Sequence, residues 1–171
     1  MCINPLKIIA GDREIPAPCR KCEQCIAKRK MHWIGRMLAT EQTAKAVWFC
    51  TFTYGSAIDE NDDIITAAEN PAAMWLKYEH LQQTFKKMRK AGHKFQYIAV
   101  GEYGSKHSRA HFHAIIYWLS EPPERPLGRR LKVGECSFWD RGFMQYELPR
   151  SSTAASVYMM DYLEKDNLQK N

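Results

Sequence analysis

The apolar positions of this chain follow two different periods. Val47-Trp48-Phe49-Cys50-Thr51-Phe52-Thr53-Tyr54 is dense in β-branched and aromatic residues and ends at Gly55, which predicts a strand in the middle of a sheet. Between Ala72 and Ala91 the period lengthens. Met74, Tyr78, Leu81, Phe85 and Met88 step by four, three, four and three, which makes one helical stripe, and Gly92 supplies a stop after it. Phe95 to Tyr103 and Arg109 to Trp118 are strand-like again, and the short loop Gly104-Ser105-Lys106-His107-Ser108 predicts an antiparallel hairpin. Gly142 to Leu148 is a further strand, and Pro149 with the Ser151-Ser152-Thr153 cluster opens a last helix reaching Lys165.

The rest of the chain surrounds this pattern. Met1 to Pro18 holds three prolines and a glycine, so it reads as an irregular arm over the surface with one short strand from Leu6 to Ala10. Cys19 to Lys45 lacks proline and is rich in helix formers, with Ile26, Trp33 and Met37 at near-helical spacing, which predicts a long basic helix. Ser56 to Pro71 is an acidic, polar excursion. Leu119 to Gly134 combines three prolines with Arg125, Arg129, Arg130 and Lys132, an exposed basic loop able to grip a nucleic-acid backbone. The order β-α-β-β-…-β-α predicts an α+β fold, an antiparallel sheet with helices packed on one face.

Composition narrows the class. The 171 residues suit one domain, and 45% apolar with 26% charged residues is ordinary globular usage. Lys and Arg number 25 against 19 Asp and Glu, a net charge of +6 that favours an anionic partner, nucleic acid before membrane. No apolar run approaches the roughly 18 residues of a membrane span, and the N-terminus lacks the layout of a secretory signal, so a cytoplasmic location is expected. Arg20, Lys21, Lys28, Arg29 and Lys30 crowd the start of the basic helix, and Lys28 and Arg29 are candidate DNA contacts.

In a reducing compartment clustered cysteines suggest metal before disulfide. Of six cysteines, Cys19, Cys22 and Cys25 are spaced as tetrahedral thiolate ligands, with Cys2 or His32 as a fourth, so structural zinc is one expectation. An iron–sulfur cluster or reduced thiols packing the arm against the helix are the alternatives.

A second candidate centre lies in the strands. His111 and His113 share a face with Phe112 on the other side. In a register that sets Glu102 opposite residue 111 or 113, its carboxylate joins the two imidazoles, a ligand set with open positions suited to Mg²⁺ or Mn²⁺ bridging a phosphate. Downstream, Tyr158 and Tyr162 are four apart on a helix and look the same way. A phenol with an ordinary pKa near 10 needs a metal or base beside it to attack phosphorus.

Together these features resemble a known family. A His-hydrophobic-His strand followed by a Tyr-x-x-x-Tyr helix is similar to the HUH endonucleases of rolling-circle replication. More closely, Pro18-Cys19-Arg20-Lys21-Cys22-Glu23-Gln24-Cys25, Thr51-Phe52-Thr53-Tyr54, Gly101-Glu102-Tyr103-Gly104, His111-Phe112-His113, Trp139-Asp140-Arg141-Gly142-Phe143 and the Tyr158/Tyr162 helix stand in the order seen in replication initiators of gokushovirus-type microviruses, small circular single-stranded DNA phages.

That resemblance implies the HUH endonuclease fold, ferredoxin-like or RRM-like, over one domain, with residues 1–45 as a Cys-rich arm and basic helix and 46–171 as the catalytic core. His111, His113 and Glu102 would hold the metal. Tyr158 and Tyr162 would be nucleophiles that nick single-stranded origin DNA, leaving a 5′-phosphotyrosine and a free 3′-OH for the host polymerase, with a host helicase as a further partner in the bacterial cytoplasm. Such helices often carry a lysine three residues after the first tyrosine. Here that position is Asp161 and Lys165 stands three after Tyr162, so Tyr162 with Lys165 is at least as good a candidate for the first cleavage. A helicase motor is not expected, since no Gly-x4-Gly-Lys-Ser/Thr loop occurs. The competing reading is a zinc-stabilised single-stranded nucleic-acid-binding module without catalysis. It accounts for the basicity and the cysteines, but not for two tyrosines accompanying a His-x-His strand.

Overall fold

The strand-like runs form strands where the sequence places them. In the computed structural model of the protein, which describes residues 2–54, 75–104, 110–123, 138–149 and 152–168, the chain runs β1 (Leu6–Ala10), β2 (Arg13–Ala17), α1 (Glu23–Glu41), β3 (Ala46–Tyr54), α2 (Tyr78–Lys90), β4 (Phe95–Tyr103), β5 (Ala110–Trp118), β6 (Gly142–Glu147) and α3 (Ser152–Leu168). The main sheet has the order β4-β5-β3-β6, and every neighbouring pair is antiparallel. β3 and β4 are therefore parallel to each other with β5 between them, and α2 lies in the crossover that joins them. This split β-α-β is the ferredoxin-like connection, and the arrangement is compatible with an HUH endonuclease.

Period 2 in the strands sorts the core into two layers. One contains Trp48, Cys50 and Phe52 of β3, Phe112, Ile116 and Trp118 of β5, and Leu81, Phe85 and Met88 of α2. The other contains Ile115 and Tyr117 of β5, Val100 of β4, Ile34 and Met37 of α1, and Met159 and Met160 of α3. Helices thus cover both faces, not one as expected from the sequence. The physical reason lies in β5, which is buried along nearly its whole length and needs an apolar partner on each side. Each fully buried side chain such as Phe85, 0% exposed, contributes about 1.5–3 kcal/mol.

Three element boundaries differ from the sequence reading. The long helix begins at Glu23, not Cys19, because Cys19 to Cys22 form a tight turn in which Arg20 takes a left-handed φ of 63°. On that helix Ile34 and Met37 are buried, whereas Trp33 is 41% exposed and belongs to the opposite side. The N-terminal arm is a hairpin, with β2 paired to β1 around Gly11 at φ 63°. Pro16 weakens the sequence signal for β2, but a two-stranded ribbon tolerates proline on an open edge. The second helix starts at Tyr78, and Gly92, at φ 92°, follows its C-terminus as expected. Residues 75–77 are not helical. Leu76 instead donates its N–H to the Tyr103 hydroxyl at 3.0 Å and packs over Gly101, where an added Cβ would stand 2.7 Å from Leu76 Cδ1. Among the described residues no helix is long and apolar enough to cross a membrane.

Candidate functional site

The β4–β5 ladder sets Glu102 directly opposite His111. Side chains of directly paired residues share a face, and His113, two residues on, joins them. Glu102 Oε2 lies 3.3 Å from His111 Nε2 and 3.4 Å from His113 Nε2. Neighbouring ligands bound at about 2.1 Å in an octahedral site are separated by about 3.0 Å, so one carboxylate oxygen and two imidazole nitrogens fit a divalent cation. The three residues form one of two groups among the described residues able to hold a metal.

The sheet also orients the ligands. β3 pairs Thr51 with His113, and Thr51 Oγ1 lies 3.1 Å from His113 Nδ1. With the Nδ1 proton donated to Thr51, the lone pair of Nε2 faces Glu102, which is the tautomer a metal ligand requires. His113 is 8% exposed, and its burial first, then His111, push its pKa down to about 4, so the ring is neutral at physiological pH. Thr51 escaped the sequence reading as a site residue. Its signal was present, since it faces the same side of a strand as Thr53, but only the β3–β5 register reveals the partner.

α3 crosses this face and presents both phenols to it. The Tyr158 hydroxyl donates to the Tyr162 oxygen at 3.0 Å, and the Tyr162 phenol reaches the Glu102 carboxylate. Each ring centroid is 5.8 Å from that of His113. Contact with Tyr158, burial and the Glu102 charge together hold the Tyr162 pKa well above the ordinary phenol range. Phe49 closes one side, 5.4 Å from His113 and 5.7 Å from Tyr158 between ring centroids. Asp161, between the tyrosines, is engaged by Lys30 of α1. Lys165 falls within α3, but its side chain lies outside the described residues, as do Arg125, Arg129, Arg130 and Lys132 of the basic loop. Buried Trp139 donates to the Thr53 carbonyl at 3.3 Å, and Asp140 takes Lys87 at 2.7 Å, which ties the start of β6 to β3 and α2.

The second group is formed by Cys2, Cys19, Cys22 and Cys25. Cys2 Sγ is 3.8 Å from Cys22 Sγ and Cys19 Sγ is 4.0 Å from Cys25 Sγ, while the Cys22 N–H points at Cys19 Sγ at 3.3 Å. Four sulfurs at about 2.3 Å from a tetrahedral zinc stand about 3.8 Å apart. These separations exclude disulfides, and all four thiols are free. The Ile3 and Cys25 backbone groups lower the Cys22 pKa to about 6, and the Cys22 N–H lowers that of Cys19, whereas burial raises Cys25 to about 11. Lys28 and Arg29 are exposed on the outer side of α1, away from the tyrosine helix.

Comparison with known proteins agrees with this geometry. Replication-associated protein ORF4 of Chlamydia phage 1 is 30% identical over 119 residues, which span 66% of this chain and 26% of that protein. Replication-associated protein ORF2 of Spiroplasma virus 4 is 30% identical over 139 residues, 74% of this chain and 41% of that protein. The chain therefore covers well under two thirds of either relative. No solved structure matches. The family model of replication-associated protein ORF2 matches residues 47–167, which include both strands of the metal-ligand hairpin and the tyrosine helix. The chain belongs to this replication-associated protein ORF2 family.

Proposed function

We propose that the protein is a replication initiator that nicks single-stranded origin DNA with a tyrosine nucleophile and rejoins the ends in rolling-circle replication. The observation that carries this reading is the convergence of Glu102, His111 and His113 with the hydroxyls of Tyr158 and Tyr162 on one face of the sheet.

Glu102, His111 and His113 would hold Mg²⁺ or Mn²⁺. Such an ion polarises a non-bridging phosphate oxygen and offsets the Glu102 charge that disfavours a phenolate. A tyrosine oxygen attacks the scissile phosphorus, the bond from phosphorus to the 3′-oxygen breaks, and a proton ends on the released 3′-hydroxyl. The chain keeps the 5′-phosphate as a phosphotyrosine. Tyr162, in contact with Glu102, is the better placed for the first attack, with Lys165 three residues beyond it as a candidate for stabilising charge. Tyr158 is placed for the second transfer, since its hydroxyl already touches that of Tyr162. Thr51 keeps His113 in its ligand tautomer.

Cys2, Cys19, Cys22 and Cys25 would hold a structural Zn²⁺, and the cations 125, 129, 130 and 132 with Lys28 and Arg29 would contact DNA. The chain acts as one nuclease domain, 46–171 with the Cys-rich arm and helix, in the bacterial host cytoplasm, where host polymerase and helicase extend the free 3′ end. The test is incubation with single-stranded origin DNA and Mn²⁺ followed by a denaturing gel. A metal-dependent, SDS-resistant adduct that disappears in the Tyr158→Phe/Tyr162→Phe double variant supports the enzyme. Tight binding with no adduct would instead establish the non-catalytic binding module.

A further inference from the structure

The outer side of α1 plays no part in the metal and tyrosine site. It holds a cavity of about 480 Å³ bounded by the cysteine turn and the helix. That volume lies within the 300–1,000 Å³ of pockets that take small ligands or parts of larger ones. Arg20, Lys28, Arg29 and Arg36 line it, together with Trp33 and His32, and no carboxylate is among the lining residues.

Trp33 does not belong to the core. Its ring is 41% exposed although the same helix buries Ile34 and Met37, and the Arg36 guanidinium stands 5.2 Å from the ring centroid, which fixes the indole's orientation. A large aromatic ring left at the surface costs apolar exposure. Beside four cations, a base stacked on it removes that exposure while the strand's phosphates meet the cations. The cavity continues past Trp33 and Arg36 into a second one of about 390 Å³, which reaches Gln96 and Ile98 on the edge strand β4. The two together make a trough from the cysteine turn to the sheet edge, long enough for more than one nucleotide.

We propose that this trough is a second single-stranded DNA site, in which Trp33 stacks a base and Arg20, Lys28, Arg29 and Arg36 grip the flanking phosphates, away from the scissile position. This rests on the nuclease reading only for the identity of the ligand as DNA. The cysteine turn forms one wall, through Arg20 and Cys25, so the trough's shape follows from the turn's. The site would hold the strand through backbone charge and stacking, without reading its sequence.

The test uses the full chain in the non-cleaving Tyr158→Phe/Tyr162→Phe background. Fluorescence anisotropy measures binding of a labelled oligodeoxythymidine and of an abasic strand of the same length. Trp33→Ala is expected to weaken oligodeoxythymidine binding about 5- to 100-fold and to leave the abasic strand unaffected, with Trp33→Phe retaining most of the affinity. Arg29→Ala is expected to weaken both strands alike and to flatten the dependence of log affinity on log salt by about 0.7. Oligodeoxythymidine binding unchanged in Trp33→Ala, or weakened equally for both strands, overturns the proposal. If the alanine variant does not fold, Trp33→Leu, which keeps apolar bulk without a ring, decides it by the same comparison. Adduct formation by the parent chain is scored in parallel. An adduct with no Trp33 dependence of binding removes the trough and leaves the nuclease, while Trp33-dependent binding without an adduct does the reverse.

Discussion

The Tyr158 hydroxyl donates to the Tyr162 oxygen at 3.0 Å, and Tyr162 in turn reaches Glu102, so the two phenols stand in series from the surface to the metal-ligand group. Their positions on α3 are equivalent in sequence spacing, yet only one touches the carboxylate. Tyr162→Phe is therefore expected to lower formation of the first covalent DNA adduct by on the order of 1,000-fold or more, the scale of removing a nucleophile. Tyr158→Phe is expected to keep the adduct and lose strand transfer to a second acceptor. Single variants in the denaturing-gel assay separate the two, and an adduct that depends on Tyr158 alone would reverse the order.

Thr51 touches His113 from the neighbouring strand. Partners that orient a metal-binding imidazole are worth about 10- to 100-fold in metal affinity. Thr51→Val, which keeps shape and loses the hydroxyl, is expected to weaken Mn²⁺ binding by that factor in calorimetry, while Glu102→Gln and His111→Ala weaken it further.

Acid should destabilise the metal-free protein through His113. Burial lowers its folded pKa from the ordinary 6.5 to about 4, so between these values the unfolded chain binds more protons than the folded one. The contribution is full above pH 6.5 and declines as pH falls toward 4, by up to about 3 kcal/mol. Thermal melting in the presence of chelator follows this slope, and His113→Gln is expected to flatten it.

Removal of metal from the four-cysteine group should be visible without DNA. One equivalent of zinc per chain is expected by elemental analysis, and its extraction is expected to free four thiols to a thiol reagent and to lower the melting temperature. Cys22→Ser is expected to abolish the equivalent, because a four-sulfur tetrahedral site loses a ligand that serine does not replace. A protein purified under metal-replete, reducing conditions with no bound zinc would overturn the assignment.

Much of this molecule follows from local pattern alone. The strands at 46–54, 95–103, 110–118 and 142–147 and the helices carrying Phe85 and Tyr158 are legible because apolar periods of 2 and 3.6 report backbone geometry directly. The shared face of His111 and His113, and of Tyr158 and Tyr162, follows from the same two periods. Longer-range relations were not legible. That Glu102 pairs with His111, that Thr51 meets His113 Nδ1 and that Cys2 returns to Cys22 all depend on strand register and chain closure, which one residue of slippage would change. The same holds for the placement of helices on both faces and for Trp33, whose spacing suits a buried stripe. Which side of α1 is covered was decided only when α3 and the sheet packed against Ile34 and Met37, since burial depends on what the rest of the chain brings to a helix, and periodicity records only that a stripe exists.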